Sequence, residues 1–460
     1  LTLTAPELLA RAMALREMQD MAAALATVAE AAALAPADAR IALAHAHIAY
    51  ECWQPAADLF ARAQRFMPAD LAITRSHALA LHADGEWLAA EALLRRSLAA
   101  HPGWVDGHKV LTTLSVTGGA DAFDASFAEA VAADPANLAL RLAWFHTLAT
   151  ARCWEQARAV LTDAQARFGD HRALRLLNAF YLAESGEGGH RADLFDGLED
   201  VRDVGLDLAR TRHSLRCGQP EAALAIIEPH LTGPAARSFW PYASLGWRLA
   251  GDPRSHWLDG DPVFTTHQDD VLTPDECATL ATTLRRLLVL QAPYLEQSVR
   301  GGVQTDRHLF FNPDPVIQHL RARVADAVAR YIATLPAAVP GHPLLGHARD
   351  DVRFEGSWSV LLRSQGFHAS HTHSRGWISS ALYIQLPTAE KLGAAPAGWF
   401  SHGTPPPELG LNLSAYGHME VKAARLALFP STMWHGTVPF DDGERLTVAF
   451  DVKVPAAIQG

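Results

Sequence analysis

A repeat of 32 to 34 residues constrains the first part of this chain more than any other feature. Prolines stand at Pro36, Pro68, Pro102 and Pro135, at intervals of 32, 34 and 33, and Gly169 follows 34 residues after the last. A unit so short buries no core alone. It must stack on its neighbours, and the period is that of helical hairpins. Within one such unit the pattern predicts a helix over 71–82, a turn at Asp84-Gly85-Glu86 and a second helix over 87–100. Small residues (Ala78, Gly85, Ala90, Ser97) fall where the two helices approach, while Leu79, Leu88, Leu93, Leu94 and Leu98 supply bulk. The next unit, with Gly118-Gly119 in its turn, keeps the pattern less well. Segments 138–150 and 154–168 make a further hairpin.

Over residues 3–185 these segments resemble tetratricopeptide repeats. The resemblance implies a superhelix whose concave face takes a peptide, with a scaffold or dimerisation role as the alternative. A polar, Gly-rich stretch at 186–200 reads as a link. Helical pattern resumes at 206–217, 219–231 and 240–250 and stops at Gly251-Asp252-Pro253, so the helical array is expected to occupy 1–255 and a second domain 256–460.

In that second domain Thr273-Pro274-Asp275-Glu276 has the form of an N-cap followed by proline and an acidic first turn, predicting a helix over 275–290. Another is expected over 315–335. After Pro343 the period shortens: 358–362, 378–386, 425–429 and 446–454 are strand candidates between Gly- and Pro-bearing loops. Helices followed by strands fit a β-sandwich buttressed by helices, and the chain as a whole reads as a multidomain α+β protein.

Apolar residues make up 49% of the 460, enough for each domain to bury a core without metal or disulfide staples. The formal charge of −11 offers no basic field for phosphate backbones, so no nucleic-acid partner is expected. Cys52, Cys153, Cys217 and Cys277 form no C-x-x-C pair and read as buried thiols of a reducing compartment. Residues 1–20 lack a basic segment followed by an apolar one, and Ala-rich stretches are interrupted by charge. A cytoplasmic protein without membrane partners is the expectation.

His368, His371 and His373 lie close together, and His435 follows Phe429-Pro430-Ser431-Thr432-Met433-Trp434. On a strand, alternation would turn His371 and His373 to one face and His368 to the other. Imidazole nitrogens suit iron(II), and three ligands on one side leave positions for oxidant and substrate. The chain has 23 histidines, so an H-x-H pair alone is more often a surface or packing feature.

Three stretches taken together are more specific: 297–305, 357–387 with His371-Thr372-His373, and 428–452 with Phe429-Pro430, His435 and Arg445, the two ligand words being separated by 61 residues. In this order they resemble the iron(II)- and 2-oxoglutarate-dependent oxygenases, in a prolyl-hydroxylase-like branch often found behind tetratricopeptide repeats. The resemblance implies a double-stranded β-helix (jelly-roll) with supporting helices. It implies His371 and His435 as the proximal and distal metal ligands and Arg445 as the grip on the far carboxylate of 2-oxoglutarate. Thr447, two residues on, and Tyr383 are further candidates for that carboxylate. The guanidinium fork and a hydroxyl are suitable donors for it.

One position departs from the family's pattern. Where His-x-Asp or His-x-Glu is usual, residue 373 is His. Either His373 is the third ligand or water fills that place, with His368 as an alternative. The implied reaction consumes dioxygen and 2-oxoglutarate, releases succinate and CO2, and hydroxylates a peptide or protein held on the repeats. Two other readings stay open: a small-molecule oxygenase whose repeats serve assembly, and a non-catalytic repeat adaptor with a degenerate oxygenase domain. Trp377 and Trp434 flank the ligand words and either shield the centre or pack in the core. Gly301-Gly302 is followed by no Gly-Lys-Ser/Thr and is not a phosphate loop, and Asp441-Asp442-Gly443 reads as a turn.

Overall fold

The period of the prolines is a period of helix starts. In the computed structural model, which describes residues 3–120, 122–295 and 297–458, Asp38 and Asp70 each lie two residues beyond a repeat proline. Asp38 accepts from the backbone N–H groups of Arg40 (2.9 Å) and Ile41 (3.2 Å), and Asp70 from those of Ala72 (2.9 Å) and Ile73 (3.3 Å). Asn137, after Pro135, accepts from Leu140 at 3.1 Å. Each satisfies first-turn donors that no helix can satisfy internally. Asp84 reaches back instead: it accepts from Ala56 and Ala57 at 3.0 and 2.9 Å and so caps the second helix of the preceding hairpin.

The helices begin Ala5–Glu17, Met21–Leu34, Ala39–Glu51, Ala57–Phe66, Leu71–Ala83, Trp87–Ala100, Val105–Thr117, Ala125–Ala133 and Leu138–Thr150. Ala46, Ala56, Ala78 and Ala90 are fully buried beside Phe60 and Leu94, so alanine permits the close approach and the larger side chains fill the space. Leu88 departs from the expectation: it is 84% exposed, on the outer side of its helix.

Grouped by contact, the chain forms two compact units, Leu1–Thr147 with Asp306–Gln318, and Leu148–Thr305 with His319–Gly460. In the first, the distant segment is held by specific contacts. Trp53 Nε1 donates to the His308 carbonyl at 2.9 Å, and the Arg307 guanidinium lies 4.1 Å from the Trp53 ring centre. Phe311 packs on the cluster of Met21, Val28 and Ile48.

The second unit holds the later helices and the strands. Helix Pro274–Leu287 starts as expected, with a capping box between Thr273 and Glu276 and proline in its first turn. Nine strands are described: β1 Thr266–Gln268, β2 Val299–Gln304, β3 Phe354–His368, β4 Gly376–Gln385, β5 Phe400–His402, β6 Gly417–Met419, β7 Leu426–Pro430, β8 His435–Thr437 and β9 Arg445–Lys453. Six form an antiparallel sheet in the order β1-β7-β4-β9-β3-β2, and three form a second in the order β6-β5-β8. Neither closes on itself. Gly302 sits at a register shift where β2 pairs with β3, and it is needed there: a Cβ would lie 2.3 Å from the Leu361 carbonyl oxygen.

Both tryptophans beside the histidines are core residues. Trp377 is fully buried and donates to the Leu344 carbonyl at 2.8 Å. Trp434 donates to that of Pro241 at 2.9 Å and packs with Leu245 and Leu409, tying helix Ala236–Ala250 to the strand region. The cysteines are free thiols, but only Cys52 and Cys277 are buried; Cys153 and Cys217 are half-exposed, short of the full burial expected. Among the described residues no helix is long and apolar enough to cross a membrane.

Candidate metal centre

Strand β3 ends at His368, so His371 and His373 stand on the connection that follows it rather than on the strand. Backbone pairing gives that connection its place. His371 and His435 exchange N–H···O bonds at 2.9 and 3.0 Å as an isolated bridge, and His373 N–H donates to the Ser431 carbonyl at 2.8 Å. These bonds bring His435 beside His371 and His373, from which 63 and 61 intervening residues separate it. The rings of His371 and His435 are 4.3 Å apart between centres, and His373 is 5.0 Å from each. One nitrogen from each of the three falls within 4.8 Å of the others. Alternation does not send His368 away, because the strand stops there: it lines the same cavity, 6.0 Å from His371 between ring centres, yet lies outside the set of three.

Hydrogen bonds assign the tautomers. Nδ1 of His371 lies 2.8 Å from the Ala369 carbonyl, and Nδ1 of His435 lies 3.0 Å from that of Met433. A carbonyl only accepts, so both nitrogens carry hydrogen. Nδ1 of His373 lies 2.7 Å from both oxygens of Asp451 and is a donor for the same reason. In the neutral form of each ring this leaves Nε2 with the lone pair a metal requires. Burial, reinforced by the neighbouring His373, pulls His371 down to about 3, and burial holds His435 and His368 well below the ordinary histidine range. Neutral rings at physiological pH are the ligating form. Ser298 adds a hydroxyl 3.2 Å from both His371 Nε2 and His368 Nδ1.

The cavity that contains the triad has a volume of about 400 Å³ and also receives Tyr383, Arg445 and Thr447. Arg445 opens β9, is 1% exposed, and donates to the Gly398 carbonyl at 2.9 Å and to Thr437 Oγ1 at 3.2 Å. Its Nε has no partner, and no carboxylate among the described residues pairs with it. The Tyr383 hydroxyl is likewise buried without a partner, and burial pushes it up to about 12. Thr447 sits opposite Tyr383 in the β4–β9 register. A buried guanidinium lacking a counter-ion beside an orphaned hydroxyl is costly unless an anion arrives. These residues therefore fit a dicarboxylate cosubstrate, and the three clustered imidazole nitrogens fit iron(II).

Asp451, Ser298 and Ser379 were not singled out by sequence reasoning. For Asp451 a signal existed: an acid six residues beyond Arg445 in an apolar strand, on the same face by alternation.

Residues 356–451 match the family model described as "Putative 2OG-Fe(II) oxygenase". No curated protein matches. Among solved structures, a Pseudomonas putida prolyl-4-hydroxylase is 15% identical, the match covering 45% of this chain and 99% of that one with a TM-score of 0.29. HygX from Streptomyces hygroscopicus, with nickel and 2-oxoglutarate bound, is 13% identical over 44% of this chain and 85% of its own, with a TM-score of 0.30. A tetratricopeptide repeat protein from Parabacteroides merdae is 13% identical over 54% and 97%, with a TM-score of 0.33. Likenesses this loose decide nothing about activity. The family match and the histidine cluster it encloses do: the β-rich part of the chain carries a 2OG-Fe(II) oxygenase domain, and the protein is an enzyme of the dioxygenase class.

Proposed function

We propose that this protein is an iron(II)- and 2-oxoglutarate-dependent hydroxylase of peptide or protein substrates, with a double-stranded β-helix as its catalytic fold and tetratricopeptide-like repeats ahead of it. The observation that carries the reading is one cavity holding both the three clustered histidines and a buried Arg445 that pairs with no carboxylate among the described residues. His371, His373 and His435 hold the metal through Nε2. Arg445 takes the far carboxylate of the cosubstrate, assisted by Tyr383 and Thr447. When bound, iron and 2-oxoglutarate would, with dioxygen as the oxidant, supply oxidative decarboxylation to succinate and CO2 coupled to hydroxylation of a C–H bond, one oxygen atom going to succinate and one to the product. The chain's own part is to orient both and to keep water from the site.

A cavity of about 400 Å³ sits at the low end of the roughly 300–1,000 Å³ usual for ligand pockets. Once the cosubstrate is seated, room remains for a side chain presented by a larger molecule. A second reading has its own support: Asp306–Gln318 already covers part of the first helical hairpins, which favours an assembly role there. The four free thiols fit a reducing cytoplasm. The test is succinate release by the full chain with iron(II) and 2-oxoglutarate, with and without a peptide library. Peptide-stimulated release is expected. Release stimulated by small metabolites and by no peptide would move the proposal to the second reading.

A further inference from the structure

His373 differs from its two partners in what holds it. His371 and His435 donate from Nδ1 to backbone carbonyls, whereas His373 donates to a side-chain carboxylate, both of whose oxygens lie at 2.7 Å. That carboxylate, Asp451 on β9, is 7% exposed. It is itself anchored: Ser379 Oγ on β4 lies 2.6 Å from Asp451 Oδ1 and 2.8 Å from Ser431 Oγ. Gly376 makes room for the cluster, since a Cβ there would lie 2.5 Å from Ser431 Oγ and 2.9 Å from Asp451 Cβ. A buried carboxylate, two serines and a glycine thus converge behind one ring of the triad.

We propose that Asp451 is a positioning residue of the metal site, and that the His373–Asp451 pair stands in for the carboxylate ligand that His at position 373 displaces. The inference rests on the reading of His371, His373 and His435 as iron(II) ligands. Three neutral imidazoles bring no negative charge to a dication, and Asp451 returns one unit of it through the ring of His373. The same hydrogen bonds set the tautomer, so that Nε2 of His373 presents its lone pair. A carboxylate behind a ligating histidine fixes the ring and raises its basicity, and removing such a partner typically weakens metal binding about 10–100-fold.

The pairing changes what a reversion to the family's residue does. In His373→Asp alone, the new carboxylate shares its pocket with Asp451, and two unpaired carboxylates repel. In His373→Asp/Asp451→Asn the site regains a single carboxylate, now as ligand.

The experiment uses the full chain, freed of metal and titrated anaerobically with iron(II) by calorimetry, together with ¹⁵N shifts of the histidine rings in the metal-free protein. Asp451→Asn keeps an acceptor for His373 Nδ1–H, so its ring shifts stay as in wild type while affinity falls about 10–100-fold. Asp451→Ala loses at least as much affinity and redistributes the His373 tautomer. His373→Asp binds weakly, and the double variant recovers most of the loss, a rescue that a merely structural role for Asp451 does not produce. Ser379→Ala, which leaves the carboxylate in place but unanchored, gives a smaller loss and serves if an Asp451 variant fails to fold. Wild-type affinity in the Asp451 variants, or in Ser379→Ala where it is the folded variant, overturns the proposal. Absence of iron(II) binding by wild type overturns the ligand reading and this proposal with it.

Discussion

In the helical hairpins the recurring acids work at the surface and close at hand: Asp38 and Asp70 bond to backbone N–H groups two and three residues ahead of them. Around the triad the acid that matters is buried, and its partners are remote: Asp451 meets His373 across 78 residues and Ser379 across 72. The first kind of carboxylate is replaceable. Its helix is held by many small contacts, and water stands ready to satisfy the N–H groups it abandons. The second kind sits where water is scarce, so each polar group depends on a particular partner, and losing one leaves the other stranded. The same residue type thus carries stability in small increments in one region and the competence of a site in the other.

Substitutions that empty a buried partnership should show the largest effects. Arg445→Ala removes a guanidinium with no carboxylate of its own, and loss of a charge-assisted bond to a desolvated carboxylate costs about 2–5 kcal/mol. Affinity for 2-oxoglutarate, measured on the iron-loaded protein, should fall at least about 30-fold, with iron(II) affinity changed only a few-fold. An unchanged 2-oxoglutarate affinity would remove Arg445 from the cosubstrate site.

Asp259 tests the same contrast outside the metal site. It is 2% exposed, accepts from Ser244 at 2.9 Å and Tyr416 at 2.8 Å, and burial pushes its carboxyl up from an ordinary 3.8 to about 6. A raised folded-state value favours the protonated form. The stability it contributes is therefore full below about pH 4 and is lost as pH rises through about 6, by at most about 3 kcal/mol. In Asp259→Asn that loss between pH 4 and 6 should shrink, as read by thermal melting across the range; an identical pH profile in both proteins would show that Asp259 is not held in this way.

The smallest effect belongs to the repeats. Asp70→Ala removes one helix cap and should cost about 1 kcal/mol in denaturant unfolding, with no change in iron(II) affinity. A loss as large as that expected for the buried groups would erase the distinction between the two regions.

What the sequence made legible follows the same division. Hairpin spacing, the Thr273 capping box, most helix limits within a few residues and four of the longer strands could be read, because each depends on contacts only a few residues away. Strands β5, β6 and β8 have three residues each, too few for alternation to register. The attachment of residues 306–318 beside Trp53 joins positions about 250 apart, and no local pattern announces it. At the site, His371, His373 and His435 were legible as family words, and the cluster forms. Alternation would turn His368 to the opposite face only if β3 ran on through His371 and His373, and the strand ends at His368. Asp451 went unnoticed because its meaning depends on a partner that only folding brings near.

X-ray absorption of the iron(II)-loaded protein tests the central claim most directly, compared between wild type and His373→Ala. Three imidazole nitrogens at about 2.0–2.2 Å are predicted in wild type and two in the variant. Two imidazoles in both proteins would contradict a three-histidine centre and return position 373 to water.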